Sequence, residues 1–237
     1  MYYGYYGYGL SGYNLIGIGL VLLGSMLMLW AQMKVNRNYS KYSKIRNSRG
    51  MTGHEVARAI LDSNGLYDVE VREVRGNLSD HYDPRHRTLN LSNSIYNGAT
   101  IAALAVAAHE CGHAIQHKEN YKPMTIRSAI VPICNIGQSL GWVAVFLGLL
   151  LGNTNIAWIG VILMSSILAF QLITLPVEFD ASARALSILN DRYLNGEEYT
   201  GAKNMLSAAA LTYVAAMLST LLQLLRIVLM VISRDHD

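Results

Sequence analysis

His109-Glu110-Cys111-Gly112-His113 sets two imidazoles four residues apart, with a carboxylate directly after the first. On a helix, positions four apart share a face and lie about 6 Å apart along the axis. Two imidazoles so placed can grip one tetrahedral zinc ion (Zn2+), and Glu110 then reaches a water on that ion as general base. Zinc lowers the pKa of such a water to about 7 and polarises a scissile carbonyl, so a weak nucleophile becomes usable at neutral pH. The bland account is two surface histidines and an accidental glutamate. By chance that spacing arises in a chain this long on the order of once in a hundred. The run from Ala102 to Ala108, all Ala, Leu and Val, argues against it. Two histidines on so apolar a helix are expensive to bury without a ligand.

A catalytic zinc takes a third protein ligand and keeps one position open. His117 continues the period of four, but on an unbroken helix it stands about 12 Å from His109 along the axis, too far to share one ion. It reads as a residue that supports the ligands or lies on the surface. A better candidate lies in Pro176-Val-Glu-Phe-Asp-Ala-Ser182, where Pro176 starts a polar helix over about 177–190. Glu178 falls in its first turn, where a carboxylate is favoured by the helix dipole in any case. Asp180 satisfies the same account. The two diverge by about 200° around a helix, so only one can face the metal and the other is a supporting contact or an alternative ligand. Three other histidines do not build a site: His54-Glu55 is followed by Arg58 where a second ligand belongs, and His81 and His86 flank the turn Asp83-Pro84.

These residues must be held by something, and the wider sequence says what. The chain has 237 residues, 52% hydrophobic and 15% charged, with most of the charge confined to 34–127 and 176–203. A formal charge of +3 is too small to suggest nucleic acid. Two cysteines, Cys111 and Cys134, make no disulfide framework and read as small buried side chains. Residues 1–13 are mostly Tyr and Gly, suited to a membrane interface. Leu15 to Met33 is long and apolar enough to cross a bilayer, and lacks the basic start of a signal peptide. Lys34, Arg37, Lys41, Lys44, Arg46 and Arg49 follow with no acid among them, which marks the cytoplasmic side.

Residues 51–127 read as a water-soluble α+β module. Thr52 caps a helix to about Ser63; Tyr67 to Val74 and Arg87 to Ser92 alternate as strands; Thr100 caps a helix from Ile101 to about His117. Ile130 to Leu151 and Ile156 to Leu175 form a transmembrane hairpin around Gly152-Asn-Thr-Asn155, and Met205 to Ile232 is a final apolar run carrying Gln223 and Arg226. An arginine there is costly in lipid unless it faces protein or an interface. With the basic segment inside, both charged regions fall on the cytoplasmic side. The expected fold is a mostly α membrane protein with about four transmembrane helices and a small α+β, zincin-like cytosolic module. Its parts are 1–33, 34–127, 128–175, 176–203 and 204–237.

The metal-site motif through His117, with Tyr82-Asp-Pro, Leu89-Asn-Leu-Ser92 and Pro176 to Ser182, resembles the bacterial YugP-type neutral zinc metallopeptidases. The layout is more distantly similar to the membrane gluzincins of the HtpX type. That resemblance implies one zinc ion on His109, His113 and Glu178, with Glu110 catalytic. Those relatives place an aspartate four residues after the ligand glutamate, where this chain has Ser182.

Together these features predict a multi-pass cell-membrane endopeptidase whose active site faces the cytoplasm. Its partners are a peptide or membrane-protein substrate and the lipid bilayer; oligomeric state is left open. Leu89, Asn90 and Leu91 are read as an edge strand that pairs with extended substrate. Tyr213 and Arg226 are read as a packing tyrosine and an interfacial arginine rather than oxyanion donors. Two other classes compete. An inactive relative serving as a membrane scaffold has no need of Glu110, and a metal transporter should carry ionisable residues inside its spans.

Overall fold

The computed structural model describes residues 12–76 and 78–235, so the Tyr/Gly segment at 1–11 lies outside the described residues. Ten elements follow in order: α1 (Gly12–Tyr42), α2 (Gly53–Ser63), β1 (Glu70–Val74), β2 (His81–Asp83), β3 (Thr88–Ser92), α3 (Asn93–Tyr96), α4 (Ile101–Lys118), α5 (Lys122–Leu150), α6 (Thr154–Arg192) and α7 (Gly196–Asp235). The protein is mostly helical, with one small mixed sheet. The described residues divide into two compact units, one of 12–28, 131–170 and 215–235, the other of 29–76, 78–130 and 171–214.

Four helices, α1, α5, α6 and α7, are long and apolar enough to cross a membrane. In the first unit they leave large apolar side chains such as Met26, Ile133, Leu150 and Ile162 exposed. A surface of that kind suits hydrocarbon rather than water. The unit holds together through small residues that let backbones approach. A side chain's first carbon at Gly148 would run into the backbone nitrogen of Ala157, and one at Gly160 would lie 2.6 Å from that of Val145. Gly17 packs on the Arg226 stem, so the aliphatic part of that arginine lies against protein.

The second unit contains the module. Thr52 caps α2 in a reciprocal box: its hydroxyl accepts from the Glu55 amide at 3.2 Å, and its own amide donates to Glu55 Oε2 at 2.8 Å. Val56, Ala57, Ile60 and Leu61 then pack on the apolar face of α4. The sheet order is β1-β3-β2, with β1 parallel and β2 antiparallel to β3. The basic stretch is not a free linker: its first part finishes α1, and further on the Ser48 amide and hydroxyl donate to Glu198 at 2.6 and 2.9 Å.

Three expectations about elements are corrected. Pro176 does not start a new helix; α6 runs unbroken from Thr154 through it. Proline costs a helix one N–H bond, to Leu172 here, and on a 39-residue helix packed on both sides of it that loss is outweighed. Likewise α5 begins at Lys122, before the apolar stretch, with Pro123 in the first turn where its missing N–H costs nothing. Hydropathy marks the part of a helix that suits hydrocarbon, not where the helix ends. His81, read as flanking the Asp83-Pro84 turn, opens β2 with Tyr82 and Asp83.

Candidate metal centre

Helix α4 carries the first half of the site. Thr100 caps it by accepting from the Ala103 amide at 3.2 Å, and its apolar residues bury it on nearly every face. One turn apart on that helix, His109 and His113 bring their rings to a centroid distance of 4.8 Å, nearly perpendicular. Helix α6 supplies Glu178, whose side chain is 3% exposed. Its Oε2 lies 3.4 Å from His109 Nε2 and 3.6 Å from His113 Nε2, and the three ligand atoms fall within 4.8 Å of one another. Two donors bonded at 2.0–2.1 Å to one tetrahedral zinc stand about 3.4 Å apart, so the carboxylate-to-imidazole spacings fit that ion. Glu178 Oε2 is buried and has no hydrogen-bond partner among the described residues. A buried carboxylate oxygen left so is costly, and a cation between it and the two imidazoles removes the cost.

The far side of each ring is held as a metal site requires. His113 Nδ1–H donates to Gln116 Oε1 at 3.0 Å, and His109 Nδ1 meets Ser182 Oγ at 3.1 Å. With both Nδ1 atoms protonated, both Nε2 lone pairs face Glu178. Ser182 therefore occupies the place where the resemblance expected an aspartate, and holds His109 with a neutral hydroxyl. Gln116 is fully buried, and its amide nitrogen donates to the Val177 carbonyl and to Asp180 Oδ2, each at 2.8 Å. Burial alone pushes the His113 pKa down, but the Glu178 and Glu110 carboxylates outweigh it and leave the pKa raised. The site is electronegative, as a dication requires. Arg127 answers part of that charge, its guanidinium 3.3 Å from the other Glu178 oxygen.

Gly112 lets the two helices meet. A Cβ there would lie 2.6 Å from the Ala181 carbonyl oxygen and 3.1 Å from the Ala181 Cα. Both are backbone atoms of α6 and cannot rotate away. Sequence reasoning assigned Gly112 no role; a glycine between two ligands on an otherwise Ala-rich helix was the available signal. Cys111 points the other way, towards the Ala57 carbonyl, and burial followed by the Glu110 charge pushes its thiol pKa far up. It is a packing residue, as expected, and Cys134 is likewise buried.

Glu110 is buried at the same place, with Oε2 accepting from the Tyr82 amide at 3.1 Å. That amide therefore points away from β3, and by antiparallel geometry so does the Tyr82 carbonyl. The Tyr82 hydroxyl meets His117 Nδ1 at 2.8 Å, which accounts for His117 as a brace between α4 and β2.

Several sequence expectations fall differently. Leu89, Asn90 and Leu91 are not an edge: β3 is the central strand, paired on both sides and buried throughout, and the Asn90 amide is engaged by Thr88 and His81. Alternation could not reveal this, because the strand that covers that side is only three residues long. Asp180 does not reach the imidazoles; it binds Gln116 and pairs with Arg184 at 2.7 Å. Glu178 faces the histidines, though from mid-helix, so the dipole argument for its position does not apply. Tyr213 lines a cavity with His109, Glu110 and Glu178. His54 stacks on Tyr96, and His86, 75% exposed, pairs with Asp83 at 2.6 Å.

A profile of the Zn_peptidase_2 family, described as "Putative neutral zinc metallopeptidase", matches residues 18–232. The chain belongs to this family. It is also 49% identical over 213 residues to a Bacillus subtilis (strain 168) protein called "Putative membrane protease YugP", covering 89% of this chain and 95% of that one. No solved structure matches. The family's description implies a zinc cofactor, His109, His113 and Glu178 form a cluster that could hold a metal ion, and the relative's name agrees with four helices of membrane length.

Proposed function

We propose that this family member is a membrane-embedded zinc endopeptidase, with His109, His113 and Glu178 holding one zinc ion and Glu110 as general base. The observation that carries the reading is Glu178 Oε2, buried with no hydrogen-bond partner among the described residues and shared between two Nε2 atoms beside a second buried carboxylate. Zinc, when bound, supplies Lewis acidity towards a peptide carbonyl and makes water acidic enough to deprotonate near neutral pH. The chain's own residues do the rest. Gln116 and Ser182 hold the imidazoles with Nε2 inward. The Tyr82 amide fixes Glu110 Oε2, so this carboxylate takes a proton from the attacking water and returns it to the leaving amine from a set position. An extended substrate lies along the unpaired side of β2, where the Tyr82 carbonyl is its backbone partner. The module of residues 34–127 and the stretch 176–203 face the cytoplasm, by the acid-free basic run after the first apolar segment.

Glu110→Gln tests the chemistry. The variant is expected to keep full zinc and lose about 10²–10⁴-fold or more in casein cleavage, since a general base is not a ligand. Casein hydrolysis at the parent rate by the Gln variant would end the assignment. Topology is tested separately: a reporter fused after residue 50 should read cytoplasmic and one within 152–155 external, and the reverse pattern overturns the orientation.

A further inference from the structure

We propose, resting on the hydrolase reading above, that the cavity beside Glu110 binds the substrate side chain next to the scissile bond and selects an apolar one no larger than phenylalanine. The cavity is ≈ 150 Å³ and shares its wall with His109, Glu110 and Glu178. A substrate carbonyl placed for attack there has its neighbouring side chain within reach of this cavity. The remaining wall is mostly aliphatic: Val35, Val106, Met205 and Leu206, with Ala209 and Ala210. A cavity of about this size, lined by such side chains, takes a benzene-sized group. Leucine, methionine and phenylalanine fit that space, and tryptophan does not.

Helix α7 sets the size. Met205 and Ala209 are one turn apart, as are Leu206 and Ala210, so two large residues and two alanines line the cavity from one helix. The alanines leave the room that the side chain fills. Charge sets the exclusion. Asp80 joins Glu110 and Glu178 in the wall, and no lysine or arginine is among the described residues lining it. Asp80 is tied in place by the Ser92 amide at 2.7 Å and hydroxyl at 3.0 Å, so it cannot swing out to avoid a second carboxylate. Glu178 is engaged by Arg127 and by the ion it would hold, which leaves Asp80 and Glu110 as the carboxylates that an acidic substrate side chain would have to join in an apolar wall, at a cost in desolvation and repulsion.

The test uses the full chain, zinc-loaded in detergent, and quenched peptides identical except for Gly, Leu, Phe, Trp or Glu beside one bond, with cleavage sites read by mass spectrometry. Leu and Phe peptides should exceed Gly by about 10-fold or more in kcat/KM, and Trp and Glu should fall below Gly. Ala209→Leu should lower the Phe peptide by about 10-fold relative to Gly, and Met205→Ala should raise the Trp peptide relative to Gly by a similar factor. Equal rates for Leu and Glu, or no change in either ratio in a variant that retains zinc, overturns the proposal. Should Ala209→Leu lose its zinc through misfolding, Met205→Ala decides alone, and an unimproved Trp peptide counts against the pocket. If neither casein nor any peptide is cleaved in a Glu110-dependent way, the hydrolase reading fails and takes this proposal with it.

Discussion

Glu178→Ala protein, purified from a zinc-supplemented culture, should contain no stoichiometric zinc and hydrolyse nothing. The carboxylate is the only contribution of α6 to the proposed ligand set, and its Oε2 is the atom shared by both Nε2 positions. Removing it leaves two imidazoles on one helix, too few for a catalytic zinc site. Asp180→Ala should behave differently. That side chain acts two steps away, through Gln116 onto His113, so a loss of about 10–100-fold in affinity or activity is expected. His117→Ala should keep its metal, since His117 bonds Tyr82 and not the site. Metal content by mass spectrometry of all three variants decides among them. An empty Asp180→Ala beside a filled Glu178→Ala would mean that the wrong face of α6 has been assigned.

Gly112→Ala is the second large effect, and its sign runs against helix propensity. In an exposed helix this substitution gains about 1 kcal/mol, because glycine is the poorer helix former. Here the added methyl would sit 2.6 Å from a backbone oxygen of α6. Overpacking of this kind costs about 1–3 kcal/mol or more, and the relief available is for α4 and α6 to part. Parting them draws Glu178 away from His109 and His113. The variant should therefore unfold at a lower temperature and also bind zinc at least about 10-fold more weakly, a pairing that simple destabilisation would not produce. Thermal unfolding with and without zinc, alongside metal content, measures both. An unchanged or raised Tm with full zinc would show that the helices have slack at this point.

Much of this was legible in the residues because the signals were local. Thr52 and Thr100 announce their helices through capping chemistry that acts within three residues, and the two histidines declare a shared face by spacing alone. The four apolar helices follow from composition. What was not legible depended on partners distant in the chain. β2 is three residues whose strand geometry is supplied by β3, and its presence is what turned Leu89 to Leu91 from an edge into a centre. The passage of α6 through Pro176 depends on packing on both sides of the proline, which no window around that residue contains. Ser182 gave no sign of holding His109, because a serine on a helix is unremarkable until the ring it faces is known.

Gln116 has a wider consequence, which concerns error-checking during folding. A long helix can dock on its neighbour in several registers, and a slip of one residue on α6 turns its side chains by about 100°. The buried amide tolerates few of these. Its nitrogen needs the Val177 carbonyl and the Asp180 carboxylate together, and its oxygen needs the His113 N–H. A slipped helix would leave a fully buried amide without partners, which is expensive. Asp180, the residue that rivalled Glu178 as a ligand, thus serves as the index mark by which α6 is seated. It fixes the one alignment in which its competitor, and not itself, meets the two histidines.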